Sequence, residues 1–241
     1  MDIAGKIVII TGASEGIGQA TARCFAEAGA KVVLAARSCE KLQTLADDLR
    51  QHGQEALCSP ADMRDAKAVQ EMVQRTYEQY GRIDILINNA GQAAAGSVAD
   101  VRLDDFRAIM ELNVYGPVVA IQAVVPKMRA GGGGLIINVS SMVSKMRLPG
   151  LGAYAATKAA LNMLSDTARV ELAEEQIRVI TVYPRMTATD FGKHSLGDQR
   201  MRQGQRAHAP GGAHVVDRAE DVARRILSAA LTEPDEQYMD R

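Results

Sequence analysis

The chain has 241 residues, 47% hydrophobic and 24% charged, with a formal net charge of −1. That length and apolar content suffice to bury a sizeable core and exclude global disorder, while the near-zero charge gives no whole-protein field toward nucleic acid or an acidic membrane. Aromatic residues make up only 4% and Trp is absent, so the core has to be aliphatic.

From the N-terminus, MDIAGKIVIITGAS runs into an apolar strand without the basic and long apolar regions of a signal peptide. No stretch approaches the roughly 18 consecutive apolar residues of a membrane span, so the expected location is the cytoplasm. Short β-branched runs follow at 6–11, 31–36, 55–60, 82–88, 134–140 and 177–183, several of them apolar on both faces, the pattern of strands covered on two sides in a parallel sheet. Between them lie helical stripes: Ile17, Ala20, Thr21, Cys24 and Ala28; Leu42, Leu45, Ala46 and Leu49; Val69, Met72, Val73 and Thr76. This alternation predicts stacked βαβ units in one α/β domain over residues 1–241. The four glycines 131–134 read as a turn after a helix. Apolar periodicity disappears over 187–215, which reads as a mobile substrate lid carrying Lys193, Arg200, Arg202 and Arg206. These cations suit either an anionic carrier or carboxylate substrate, or a solvated loop. A last strand is expected near 236–239. Cys24, Cys39 and Cys58 show no paired spacing, and His52, His194, His208 and His214 show no ligand pattern, so neither disulfides nor a metal is expected.

Thr11-Gly12-Ala13-Ser14-Glu15-Gly16-Ile17-Gly18 lies between the first strand and the first helix. Glycines there let a phosphate-bearing ligand approach the backbone, and the helix N-terminus offers free N–H groups. The spacing is G-x-x-x-G-x-G. At the end of the second strand, where NAD sites often carry an acid, stand Ala36 and Arg37. A guanidinium pairs with a 2′-phosphate, which points to NADP(H) over NAD(H); the bland alternative is a solvated charge. Asp62, past the third strand, is placed to accept from an adenine amino group, or is a turn residue. Tyr154 and Lys158 share one helical face, and Ser141 ends the strand thirteen positions earlier.

TGASEGIG at 11–18, NNAG at 88–91, Asn113 in LNVYG, NVSS ending at Ser141 and YAATK at 154–158 stand in an order and spacing that resembles the short-chain dehydrogenase/reductase family, over about residues 5–190. The resemblance implies a single-domain Rossmann-type doubly wound parallel sheet, about seven strands with helices on both faces, binding a nicotinamide cofactor. It implies Tyr154 as acid/base, Lys158 as its activator, Ser141 as hydrogen bonder to the substrate oxygen and Asn113 as a proton-relay member. It implies cofactor contacts at Gly12, Ser14, Gly16, Ile17, Gly18, Arg37, Asp62, Met63, Asn89, Ala90, Gly91, Tyr154, Lys158, Pro184, Thr187 and Thr189.

A free phenol titrates near 10, and a neighbouring ammonium favours the phenolate; lowering it by about three units takes roughly 4 kcal/mol. The expected activity is hydride transfer between NADP(H), with NAD(H) possible, and a small-molecule ketone, aldehyde or secondary alcohol, in a homodimer or homotetramer. The alternatives are a non-catalytic NADP(H)-binding sensor on the same fold and an epimerase or dehydratase. Gly96, Met142, Met146 and Leu151 suit a broad apolar pocket. One departure stands out: where the family usually has Gly after Pro184, this chain has Arg185. Either the local turn differs or the guanidinium faces the substrate pocket.

Overall fold

The computed structural model describes residues 2–197 and 216–239. Arg200, Arg202, Arg206, His208, His214 and the 198–215 part of the expected lid lie outside the described residues.

Seven parallel strands form the main sheet. In chain order they are β1 (Ile7–Thr11), β2 (Lys31–Ala36), β3 (Ala56–Pro60), β4 (Ile85–Asn88), β6 (Gly134–Val139), β7 (Ile177–Tyr183) and β11 (Glu236–Tyr238), with the two-residue strand β5 (Ala94–Ala95) outside that sheet. Their spatial order is β11-β7-β6-β4-β1-β2-β3. The chain moves outward from β1 to β3, then returns to lay β4 on the other side of β1. The strand order therefore reverses between β1 and β4, and the crevice beyond their carboxyl ends is the ligand site of such sheets.

Both faces of each strand are apolar because both are covered. Val8, Ile10, Leu135 and Ile137 pack into one core with α1 (Gly16–Glu27), α2 (Cys39–Gln51) and α7 (Ala219–Thr232). Ile7, Ile9, Val33 and Ile136 pack into the other, with α3 (Ala66–Tyr80), α5 (Gly116–Ala130) and the α6 helix (Gly152–Glu171). The expected stripes of α2 and α3 are buried residue for residue. That of α1 is not. Its buried residues are Gly18, Thr21, Ala22, Phe25 and Ala26, with Ile17 and Ala28 only flanking the core. The small Gly18, invisible to a hydropathy pattern, faces inward because the helix start lies against the turn after β1.

A short α4 (Leu103–Met110) runs into α5 through a π-turn, Glu111–Tyr115. Taken as windowed hydropathy rather than as an unbroken run, Leu103–Ala130 is long and apolar enough to cross a membrane, at a mean hydropathy of 1.5. Its apolar residues Ala120, Val124 and Met128 are core residues buried among those of the sheet and α3.

The described residues after β7 form two further short ladders. β8 (Thr187–Ala188) pairs with β10 (Asp217–Arg218), and β9 (Leu196–Gly197) pairs with β5. These two-residue strands are too short to leave a periodic signal.

Candidate active site

The turn after β1 is compressed. Gly12 has φ +68, and a Cβ there would lie 2.9 Å from Ala90 Cα. A Cβ on Gly18 would lie 2.1 Å from the Gly12 carbonyl oxygen and 2.5 Å from Asn89 Nδ2. Asn89 Nδ2 donates to the Thr11 carbonyl at 2.9 Å, and the amides of Asn89 and Ala90 donate to Thr11 Oγ1 at 3.0 Å each. The ends of β1 and β4 are thereby stitched together, with Ser14 half-buried in the turn and Ile17 in the first turn of α1.

The N-cap of α1, Glu15, is extended and its side chain caps no amide. Its carboxylate turns instead to Lys41 at 2.7 Å and His194 at 3.1 Å. Uncapped amides at a helix N-terminus suit a phosphate, and the glycines leave room for one to approach. The residues present fit a dinucleotide.

At the ends of β2 and β3, Arg37 is exposed. Asp62 is held by Arg64, whose backbone amide, Nε and NH2 donate to it at 2.6 to 3.2 Å. That pairing lowers the Asp62 carboxyl below its ordinary value, with Arg37 adding in the same direction. Met63 is buried, and its carbonyl leaves no room for a side chain at Gly116. Arg64 was not anticipated; its only signal was the spacing of two from Asp62.

The remaining predicted residues converge beyond β4 and β6. Ser141 lies two residues beyond β6, at the start of the 3₁₀ turn Met142–Lys145, and its hydroxyl bears on the Tyr154 phenol. Lys158 is buried one turn along α6, its Nζ donating to the Val139 carbonyl at 2.8 Å. Gly91 lies between the ammonium and Asn113: a Cβ there would sit 3.5 Å from Lys158 Nζ and 3.3 Å from Asn113 Oδ1. Asn113, fully buried in the π-turn, bonds both the amide and the carbonyl of Gln92 and donates to Thr157 Oγ1 at 3.0 Å. The π-turn widens the helix by one residue, which turns this side chain inward. The bonds of Asn113 to Gln92 and Thr157 were not anticipated.

Burial governs both titrating groups. It pushes the Tyr154 phenol up to about 12, with the Ser141 hydrogen bond opposing it. It pushes Lys158 down to about 8. The expected lowering of the phenol by the ammonium is therefore reversed in the protein alone, because desolvation penalises the charged form of each.

After β7, the Pro184 carbonyl accepts from Met142 N at 2.9 Å. Arg185 is turned to a carboxylate. Its φ is not positive, and its guanidinium grips Asp217 through Nε (3.1 Å) and NH2 (2.7 Å), not the pocket. Thr187 enters β8, and Thr189 packs its methyl over Gly16. Phe191 tilts against the Tyr154 ring at 5.8 Å, and Gln92 Nε2 donates to the His194 carbonyl. The stretch 187–197 thus crosses the cleft from the glycine turn to the phenol.

A model of the short chain dehydrogenase family matches residues 6–200. An oxidoreductase of Mycobacterium bovis, so named, is 40% identical over 192 residues, covering 78% of this chain and 56% of its own; the chain spans just over half the length of that relative. Among solved structures, a Burkholderia phymatum short chain dehydrogenase/reductase in complex with NAD shares the fold at a TM-score of 0.89 and 24% identity, over 99% of this chain and 89% of its own. A Thermococcus sibiricus alcohol dehydrogenase complexed with 5-hydroxy-NADP is 27% identical at a TM-score of 0.83, over 97% of this chain and 95% of its own.

Proposed function

The chain belongs to the short chain dehydrogenase family, and we propose that it is an NADP(H)-preferring oxidoreductase acting on a ketone, aldehyde or secondary alcohol, with Tyr154 as acid and base. The observation that carries this is the Ser141 hydroxyl bearing on the Tyr154 phenol with a buried Lys158 one helical turn away, beside a glycine turn that fits a dinucleotide. A pure sensor has no need of an acid at that place.

The pyrophosphate would lie on the N-terminus of α1, at Gly12, Ser14, Gly16, Ile17 and Gly18. Arg37 would pair with the 2′-phosphate, Asp62 and Met63 would meet the adenine, and Asn89 to Gly91 would line the middle of the cleft. Pro184, Thr187 and Thr189 would close over the nicotinamide amide, and Lys158 would hold its ribose. When bound there, the nicotinamide supplies or accepts the hydride. Ser141 and Tyr154 both donate toward the carbonyl oxygen, where charge develops during reduction. Tyr154 then gives that oxygen its proton. Lys158 would stabilise the phenolate left behind, and Asn113, bonded to Gln92 and Thr157, would be the next member of the proton path.

The neighbour complexed with 5-hydroxy-NADP supports a nicotinamide cofactor; the preference for NADP(H) rests on Arg37 and the missing acid. The same reading takes 187–215 as the substrate cover and places the protein in the cytoplasm. It assigns a homodimer or homotetramer, supported by Met163 and Val170, 66% and 77% exposed on α6. The test is NADPH consumption with a panel of ketones and aldehydes. Tyr154→Phe abolishes it while NADPH affinity survives; substantial turnover in that variant overturns the assignment, and tight NADPH binding with no turnover in the parent points to a sensor.

A further inference from the structure

The α6 helix presents four polar side chains on the face toward β6. Tyr154, Lys158 and Asn162 are spaced by four, and Ser165 follows three later, so all lie along one stripe. Each of the last three meets the strand end at a successive step. Ser165 Oγ accepts from Asn138 at 2.8 Å, Lys158 donates to the Val139 carbonyl, and Asn162 Oδ1 accepts from Ser140 Oγ at 2.5 Å. Asn162 has a second bond. Its Nδ2 donates to Ser144 Oγ at 2.9 Å, and Ser144 Oγ donates to the Ser141 carbonyl at 2.7 Å. Asn162 is 8% exposed. One buried amide thus holds the residue before Ser141 and, through Ser144, Ser141 itself.

We propose that Asn162 is a positioning residue that fixes Ser141 against Tyr154, an inference that rests on the reading of those two as the reacting pair. The physical need is clear from the backbone. Ser141 lies outside any strand or α-helix, at the start of a short 3₁₀ turn (Met142–Lys145), and its own Oγ accepts from Val143 N at 3.2 Å. That hydroxyl therefore gives a lone pair to the turn while it bears on the phenol. Without an anchor, the turn is free to rotate the hydroxyl away. Tyr154 is set by the same rigid helix that carries Asn162, about 12 Å along its axis. The distance between the two reacting oxygens is thus set by that helix, by the Asn162 amide and by the backbone ties of Ser140 to Val182 and Met142 to Pro184, of which only the Asn162 amide reaches Ser144. An amide suits the place because it must accept on one side and donate on the other. A carboxylate supplies only acceptors, and its demand on the Ser144 proton would withdraw that proton from the Ser141 carbonyl.

The experiment compares Asn162→Leu, Asn162→Asp, Ser144→Ala and Ser141→Ala in the full chain by steady-state kinetics, NADPH binding and native-state amide exchange. Asn162→Leu lowers kcat about tenfold to a hundredfold, since small misplacements at a reacting centre cost that much, while NADPH Kd stays within about twofold. Amide exchange at 142–146 accelerates, while exchange in the middle of α6 does not. Asn162→Asp and Ser144→Ala, which each cut one arm, give smaller losses of the same kind and keep the question open to a result should Asn162→Leu fail to fold. Combined with Ser141→Ala, Asn162→Leu adds little further loss. A purely structural residue would instead lower melting temperature and accelerate exchange throughout the domain, with an additive loss. That outcome, or parent-like kcat and exchange in Asn162→Leu, overturns the inference. If Ser141→Ala itself turns over like the parent, the catalytic reading fails instead, and the local exchange at 142–146 still decides whether Asn162 anchors the turn.

Discussion

A single methyl group at Gly18 tests the reading of the glycine turn. In an exposed helix, Gly→Ala stabilises by up to about 1 kcal/mol. Here the new Cβ would lie 2.1 Å from the Gly12 carbonyl oxygen, 2.7 Å from its carbon and 2.5 Å from Asn89 Nδ2. Two of these are backbone atoms, and the third is fixed by its bond to the Thr11 carbonyl. The Gly12 peptide must therefore retreat by close to an ångström, which pulls the turn away from Asn89. Overpacking of this kind costs about 1–3 kcal/mol, and a lost hydrogen bond about 1 more, against the helix gain of about 1. A net loss of about 2 kcal/mol lowers the melting temperature of a domain this size by roughly 4–8 °C. The displaced peptide also disturbs the surface offered to a phosphate, so NADPH binding weakens. Thermal unfolding with and without NADPH measures both. Gly192→Ala is the control, since a Cβ there meets nothing within 4 Å, and it stays within about 0.5 kcal/mol of the parent. A Gly18→Ala variant that melts higher than the parent and binds NADPH equally well would falsify the close-approach argument.

Arg37→Ala raises the KM for NADPH by about ten- to a hundredfold, the worth of a charge-assisted hydrogen bond, and leaves that for NADH unchanged; equal effects on both cofactors would remove Arg37 from the 2′-phosphate site. Arg185→Gly, which restores the residue usual in the family, strips the partner from a carboxylate that is only 6% exposed; stability falls by about 1–3 kcal/mol, and Asp217→Asn added to it recovers part of the loss in a denaturant titration. Carbonyl reduction falls as pH rises through about 8, where the buried Lys158 loses its proton. Unfolding does not explain that fall. Lys158 ordinarily titrates at 10.5, so between about 8 and that value the unfolded chain binds more protons, and this group's contribution to stability rises with pH. Lys158→Arg, which keeps its charge, should lose the alkaline limb; a limb of unchanged position would assign it to another group.

Where a side chain's neighbours were a few residues away in sequence, the pattern could be read. Leu42, Leu45, Ala46 and Leu49 showed α2, and the runs at 31–36 and 177–183 coincide with β2 and β7. The Tyr154–Lys158 face followed from one turn of helix, and Asn162 lay on the same stripe, four residues on, where its partners at 140 and 144 were not visible. Arg185 and Asp217 are 32 positions apart, and nothing local marks the pair. In α1 the buried face centres on Gly18 and Phe25 rather than Ile17 and Cys24, because close backbone approach at the turn, not hydropathy, sets the rotation of that helix. Titration was the least legible property. A motif names the ammonium and the phenol, but only packing shows that neither is solvated.

That loss of solvation bears on direction. On the proposed mechanism, reduction begins with Tyr154 holding its proton, and a phenol pushed up to about 12 holds it throughout the neutral range. Alcohol oxidation must begin with the phenolate. Bringing that group from about 12 to neutrality takes roughly 7 kcal/mol of differential stabilisation. Lys158 is the buried cation nearest to hand, one turn along α6, but its own burial already pushes it down to about 8. Burial disfavours each charge alone. On the proposed mechanism the phenolate is therefore favoured chiefly when a further positive charge enters the cleft. An oxidised nicotinamide brings such a charge and its reduced form does not, so the same two side chains serve as an acid with one cofactor state and as a base with the other. The consequence is measurable: the apparent pKa governing alcohol oxidation lies well below that of the phenol in the protein alone, and adding oxidised cofactor releases protons in a lightly buffered solution. No proton release on binding would break this link between cofactor charge and the state of Tyr154.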